Sequence, residues 1–227
     1  LSFTRAEETN GQAFFKLICK EENAQFICLN IRDSSFLRNA DYHNYRDCDI
    51  QNYILAARKL AERGYYVIRM GAVVEEAMDI DHPMIIDYAI NGMRSDFMDI
   101  YLGAKCAFCI STTVGFDSVP TIFRRPIVYV DCSPLEIIRT SCINYISTIK
   151  KYWKRDEDRF MTFQEIFESG AGKFQLSSEY EAMGIDLVES TPEEISDVVL
   201  EMEERLRGAW KSTKEDERLQ QSFWEMF

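Results

Sequence analysis

Only two histidines occur in 227 residues, and neither sits in an HExxH pattern or beside paired aspartates. A dedicated metal site is therefore not expected. Five prolines and ten glycines are too few for a proline-rich linker or a repetitive fibre. No apolar run approaches the roughly 18–20 residues that cross a bilayer. The opening "LSFTRAEETNG" lacks the apolar stretch of a secretory signal. Positive charge is in deficit, 26 Lys and Arg against 38 Asp and Glu for a net −12, which excludes a general nucleic-acid binder. A local basic pocket for a phosphorylated small molecule stays open.

What remains is ordinary globular material, 46% hydrophobic and 28% charged, enough for a sizeable core. The seven cysteines are odd in number, and Cys28, Cys106, Cys109 and Cys132 fall in expected strands. Reduced thiols used as small core residues fit that placement and imply a cytosolic compartment. "CAFC" (Cys106 to Cys109) has the spacing of a metal or redox pair, but it lacks a second pair and lies in an apolar stretch, so buried core is expected. The chain opens at Leu1, as expected of a processed chain or a piece of a longer one.

"AQFICLNIRD" (Ala24 to Asp33) reads as a buried strand, and "YYVIRMG" (Tyr65 to Gly71) as a second. Between them, Ile50, Tyr53, Ile54, Ala57, Leu60 and Ala61 recur at helical spacing, with Asp49 as N-cap and Gly64 as the stop. Two near-continuous apolar strands joined through a helix form a β-α-β unit with parallel pairing. The pattern repeats. "DHPMIIDYA" is expected to lead from a loop into a helix. A further helix is capped by Ser95 and ended by Gly103. Then come a strand over "KCAFCIS", a short helix over 115–124 with Pro120 in its first turn, and a strand over "PIVYVD". The fold expected is α/β, a Rossmann-like doubly wound parallel sheet with ligands at the strand carboxyl ends, followed by a helical C-terminal region. In that region "TFQE" and "TPEE" have capping-box spacing. Ile195, Val198, Val199, Met202 and Leu206 make the apolar stripe of a long helix, and a charged tail ends in Phe223, Trp224 and Phe227.

Three strand ends project polar residues to one edge of this sheet. The first supplies Asn30, Arg32 and Asp33; the second, Arg69 and Gly71; the third runs into Ser111, Thr112, Thr113 and Gly115. A hydroxyl- and glycine-rich strand–turn–helix junction presents free N–H groups to an anion, with Arg32 and Arg69 adding charge-assisted bonds. The plain alternative is a helix-capping turn with no ligand. Neither GxGxxG nor a Walker loop is present, so nothing more specific follows. Arg94 precedes a helix whose first turn carries Asp96 and Asp99, and a cation there opposes the dipole unless an anion joins it. His43, between two tyrosines in the loop after the first strand, lies beside the same edge.

"FICLNIRDSSF", "YRDCDIQNYILAARKLAERGYYVIRMG" and "DYAINGMRSDFMDIYLGAKCAFCISTTVGFDSVPTIFRRPIVYV" together resemble a family of bacterial glycosyltransferases of GT-B architecture, of the surface-polysaccharide type. The resemblance covers roughly residues 25–131. "NIRD" and the "STTVG" turn are more loosely similar to fucosyltransferase-like GT-B proteins, in which a strand-end arginine contacts the donor diphosphate. The resemblance implies a donor-binding, C-terminal half, with residues 24–208 as the nucleotide-sugar-binding domain. Residues 1–23 would be a remnant of an interdomain linker, and 209–227 a helical tail. It implies Arg32, Arg69 and Arg94 as donor contacts, Ser111, Thr112, Thr113 and Gly115 as the phosphate turn, and Asp117 as a sugar-hydroxyl or ribose contact. Asp33 and His43 are the candidates for a catalytic base. It further implies metal-independent transfer with no cofactor beyond the nucleotide-sugar. The acceptor would be a glycan or lipid-linked, a missing domain or partner subunit would supply the other half, and the location would be cytoplasmic or at the inner membrane face. A non-catalytic nucleotide-sugar-binding module and a sugar-nucleotide epimerase of related architecture remain the alternatives.

Overall fold

The computed structural model describes residues 1–21, 24–37, 41–140 and 144–227. In chain order the elements are α1 (Arg5–Cys19), β1 (Phe26–Asn30), α2 (Ile54–Glu62), β2 (Tyr66–Arg69), β3 (Ile85–Asp87), α3 (Asp96–Lys105), β4 (Cys109–Ser111), α4 (Ser118–Ile122), β5 (Ile127–Cys132) and β6 (Tyr145–Ile149). There follow β7 (Lys151–Lys154), β8 (Arg159–Phe160), α5 (Phe163–Ser169), α6 (Ser177–Ala182), β9 (Ile185–Val188), α7 (Pro192–Leu206) and α8 (Lys214–Met226). Six strands form one sheet in the order β3-β2-β1-β4-β5-β6, every pairing parallel. The doubly wound parallel sheet expected from the sequence is borne out. No described helix is long and apolar enough to cross a membrane.

Parallel strands buried on both faces need two apolar sets, and strand alternation supplies them. Ile27, Leu29, Val67, Ile110, Val128 and Val130 face one layer, closed by Ala57 and Leu60 of α2 and Ile195, Val199 and Met202 of α7. Phe26, Cys28, Ile68, Cys109, Ile127 and Tyr129 face the other, closed by Phe15 and Ile18 of α1 and Met98, Tyr101 and Leu102 of α3. The apolar stripe of α7 therefore completes the core on one face of the six-stranded sheet. A smaller core, with Tyr45, Leu135, Tyr152, Ile166, Tyr180 and Ile185, lies under a three-stranded antiparallel sheet, β8-β7-β9. Phe223 and Phe227 of α8 pack edge-on against Phe163 and Phe167 of α5.

Several local expectations are corrected. "DHPMIIDYA" holds β3, because Ile85 and Ile86 are β-branched residues that fill a slot beside Val67 and Ile68. Gly103 does not end α3, which runs on to Lys105; a Cβ there would come 2.8 Å from Val119 Cγ1, so the glycine lets α3 and α4 touch. That longer helix takes Lys105 out of the expected strand, and Cys106 caps α3 instead of lying in β4. The six described cysteines are free and buried, as expected of core thiols.

Helix α1 is held by the same close-approach device as α3. Its N-cap Thr4 forms a reciprocal capping box with Glu7. Glu8 accepts from the Tyr101 hydroxyl at 3.2 Å and pairs with Lys105 at 2.5 Å. A Cβ on Gly11 would lie 2.3 Å from the Tyr101 ring, so no larger residue fits between α1 and α3. Gly11→Leu is expected to lower stability by about 1–3 kcal/mol in urea unfolding. Gly115→Ala, where a Cβ meets open space, should change it by less than about 0.5 kcal/mol. Equal midpoints for both variants would show that α1 is not docked on Tyr101.

Candidate functional site

The order β3-β2-β1-β4-β5-β6 reverses direction between β1 and β4. Connections leave those two strands toward opposite sides, which opens a crevice beyond their carboxyl ends. Asn30 and Ser111 are the last register partners there. Just beyond them the Arg32 N–H donates to Thr112 Oγ1 at 2.8 Å, pinning the two loops together at the crevice.

The turn after β4 is built around a buried carboxylate. Asp117 accepts from the Ser111 hydroxyl and, at 2.9 Å, from the Val114 N–H. Burial raises its pKa to about 6, against the opposing pull of Ser111, Arg139, the Val114 N–H and Arg46. Its duty is to fold the turn, so it is enclosed beneath the crevice and does not present its carboxylate to a sugar or ribose. Thr113 has φ 59°, in the left-handed region where a β-branched residue is rare. The conformation turns its carbonyl outward, where Arg46 Nη2 donates to it at 2.6 Å, while Thr113 Oγ1 donates to the Thr112 carbonyl at 2.6 Å. Gly115 is exposed and opens the short 3-10 turn that leads into α4.

Arg46 went unremarked at the sequence level. It lies in a short 3-10 helix, Asp41–Arg46, in the long connection after β1, where only fold topology brings it to Thr113. Its Nε is buried without a partner among the described residues, and burial followed by the nearby Arg32 charge pulls its pKa down. Two guanidiniums close enough to disfavour each other form a cationic pair that an anion relieves. Arg32 is held from the other side by Asp47, Nε to Oδ1 at 3.1 Å. Arg139, also outside the sequence reading, lies 5.7 Å from the Tyr129 ring centre and within electrostatic reach of Asp117.

The remaining candidates are placed elsewhere. Arg69 is buried, donating to the Glu76 carbonyl and pairing with Asp87 at 3.0 Å. It ties β2 to β3 and is already satisfied by these partners. Gly71 has φ 153°, and a Cβ there would meet Val74 Cγ1 at 2.6 Å. Arg94 pairs with Asp99 at 2.7 Å and Asp96 at 3.1 Å, so the anion that offsets the helix dipole comes from its own helix. Asp33 accepts from the Ser35 and Glu75 N–H groups, both at 2.9 Å. His43 lies against Tyr42 in a tilted contact, ring centres 4.3 Å apart, and its Nδ1 is buried without a partner among the described residues. The structure thus brings Arg32, Ser111, Thr112, Thr113, Gly115 and Asp117 together, adds Arg46, and keeps Arg69 and Arg94 in ion pairs of their own.

No family model matches the chain, and no curated relative does. Among solved structures, the glycosyl transferase family 9 protein from Veillonella parvula DSM 2008 is similar with a TM-score of 0.53 and 14% identity, over 88% of this chain and 53% of that one. The likeness is one of fold. The E. coli ADP-heptose lps heptosyltransferase II aligns with a TM-score of 0.45 and 16% identity, over 65% of this chain and 44% of that one. The chain spans about half the length of the solved structures it matches.

Because the folded pKa of Asp117 lies above its ordinary 3.8, the folded state holds the proton more tightly than the unfolded chain does. The stability this contributes is complete below about pH 4 and disappears as pH rises through about 6. Relative to Asp117→Asn, the wild type should lose about 3 kcal/mol across that window. Urea unfolding of both proteins at about pH 4 and pH 7 measures the difference. Parallel pH profiles would mean that Asp117 ionises at its ordinary value.

Proposed function

We propose that this domain binds the diphosphate of a nucleotide-sugar at the β1–β4 crevice and acts as the donor half of a glycosyltransferase. One observation carries the reading: at the point where strand order reverses, the Arg32 backbone N–H and the Arg46 guanidinium both bond to the Thr112–Thr113 turn, and the Arg32 charge is close enough to act on Arg46. The fold shared with a glycosyl transferase family 9 structure supports it.

When a glycosidic bond to a diphosphate breaks, negative charge develops on the leaving oxygens. Fixed donors aimed there stabilise the transition state more than the ground state. In this scheme the two guanidiniums and the exposed N–H groups near Gly115 perform that service, and transfer needs no metal at the diphosphate. Asp47 holds Arg32 in place and Thr113 holds Arg46, so little ordering remains to be done on binding. The acceptor is a glycan or a lipid-linked glycan, brought by a second domain or a partner subunit on the cytoplasmic side of a membrane. His43 and Asp33 stay the candidates for its activating base.

The test is calorimetric titration of the full chain with UDP, GDP, CDP, ADP and CMP, alongside Arg32→Ala and Arg46→Ala. One nucleoside diphosphate should bind, and each variant should lose about tenfold or more in affinity, the worth of a charge-assisted bond. Undiminished binding to both variants, or none to the wild type, overturns the placement of the diphosphate.

A further inference from the structure

Beside the cationic turn lies a cavity of about 300 Å³ whose lining is mostly acidic, including Asp33, Asp47, Glu75, Glu76 and Glu189 with Cys48. Acidic linings are common, and this one alone implies nothing. A second observation lies behind it. Asp131, at the end of β5, is 1% exposed. Its Oδ1 accepts from the Ser190 N–H at 3.0 Å and the Ser190 hydroxyl at 2.7 Å, yet its Oδ2 is buried with no partner among the described residues. A buried carboxylate oxygen left unanswered is costly and calls for an explanation.

The groups around that oxygen are metal-ligand types. One ligand atom each from Cys48, Asp131 and Glu189 lies within 4.8 Å of the others. Glu189 Oε2 is held by the Asp49 N–H at 3.0 Å and Asn52 at 3.1 Å, whereas Oε1 faces the Lys150 ammonium at 3.9 Å. The Tyr53 hydroxyl is buried against Cys48, whose thiol donates to the Arg46 carbonyl at 3.7 Å. The buried Lys150 charge already acts on Asp131 and Glu189, but its ammonium donates to the Asp47 carbonyl and makes no hydrogen bond to Asp131 Oδ2 among the described residues.

We propose that Cys48, Asp131 and Glu189 bind a divalent transition-metal cation of the zinc or cobalt type, entering from the acidic cavity. A thiol among the ligands selects this class over magnesium or calcium, which take oxygen alone. Binding breaks the Cys48 S–H bond, forms a sulfur–metal bond and releases the proton to solvent; no electron is transferred. Two carboxylates and a thiolate are then balanced by the dication and the Lys150 ammonium. Tetrahedral zinc places its ligand atoms roughly 3.5 Å apart, so they need close by little more than an ångström from the present 4.8 Å limit. Glu189 can supply that movement by rotating Oε1 inward. Three protein ligands would leave the fourth position to a water. The cation would fasten the Arg46–Asp47–Cys48 segment to the ends of β5 and β9, stiffening the loop that carries Arg46 without taking part at the diphosphate.

The experiment uses the full chain, stripped with chelator and titrated with Zn²⁺ or Co²⁺, with Mg²⁺ as the oxygen-only comparison. Bound metal is counted after equilibrium dialysis, the cobalt–thiolate charge-transfer band is recorded, and proton release is read in weak buffer. The expected result is about one equivalent of Zn²⁺ or Co²⁺, a thiolate band and no displacement by Mg²⁺. Cys48→Ser should abolish the band, and both it and Asp131→Asn should weaken binding by about tenfold or more. Cys106→Ser, altering a cysteine outside the cluster, should change nothing. If Asp131→Asn fails to fold, Cys48→Ser, nearly equal in volume, carries the test. Absence of stoichiometric uptake by the wild type, or uptake with an intact band in Cys48→Ser, overturns the site. Nucleotide affinity is not a readout here, so failure of this site and failure of the donor reading are told apart.

Discussion

Between β1 and β4 the chain leaves the sheet toward opposite faces, and the bonds from the Arg32 N–H to Thr112 Oγ1 and from Arg46 Nη2 to the Thr113 carbonyl cross the gap that results. Elsewhere along the carboxyl edge, neighbouring loops can fold over one another and cover the strand ends. Here they diverge, so the last backbone groups of both strands face a crevice that only polar side chains can furnish. Helices α2 and α7 pack one face of the sheet, α1 and α3 the other, and together they fix the separation of the two loops. The glycines at 11 and 103 contribute at this level, because each lets a helix approach closely enough to hold its layer.

A cationic crevice in a protein of net charge −12 has to be defended from its own carboxylates. Asp47 pairs directly with Arg32, whereas Asp117, inside the turn, is buried: it accepts from Ser111 and the Val114 N–H below the turn, where its proton is held until about pH 6. Below about pH 6 the protonated Asp117 leaves the positive field of Arg32 and Arg46 unopposed from beneath, and above it the carboxylate ionises and opposes that field. The left-handed backbone at Thr113 serves the same end. It stores strain of order 1–3 kcal/mol, offset by the Arg46 bond to its carbonyl, and the arginine's position is thereby set by the backbone instead of by a mobile acid.

The parts of this arrangement legible in the sequence are those written in short-range chemistry. Strand alternation, the Asp49 and Ser95 caps and the "TFQE" and "TPEE" boxes are local, and each forms where expected. Strand β3 was hidden because only three residues pair, and the flanking "DHP" and "DYA" read as a loop and a helix start. The C-terminal β-sheet was hidden for a related reason: its strands are two to four residues long and only half-buried, too short for a period to be visible. In the site, Ser111, Thr112 and Arg32 follow directly from strand ends, whereas Arg46 comes from mid-loop and meets Thr113 across 67 residues. The assignment of ligand duties rested on a strand end for Arg69 and on a place before a helix N-terminus for Arg94, and neither position reveals that Asp87, Asp96 and Asp99 already neutralise them.

Asp47 joins the two charged regions. Its carboxylate holds Arg32 Nε at 3.1 Å on the cationic side, and its backbone carbonyl takes the Lys150 ammonium on the acidic side. An anion arriving at Arg32 must share the guanidinium with that carboxylate, since Nε is committed while the two terminal nitrogens are the groups left for a phosphate fork. Burial raises the Asp47 pKa while the Arg32 charge lowers it, so weakening that pair leaves a half-buried carboxylate with less compensation. Lys150 is the next cation in reach, and it stands between Asp47 and Glu189. Charge placed in the crevice is therefore felt in the acidic cavity through one residue whose two polar ends answer to different neighbours.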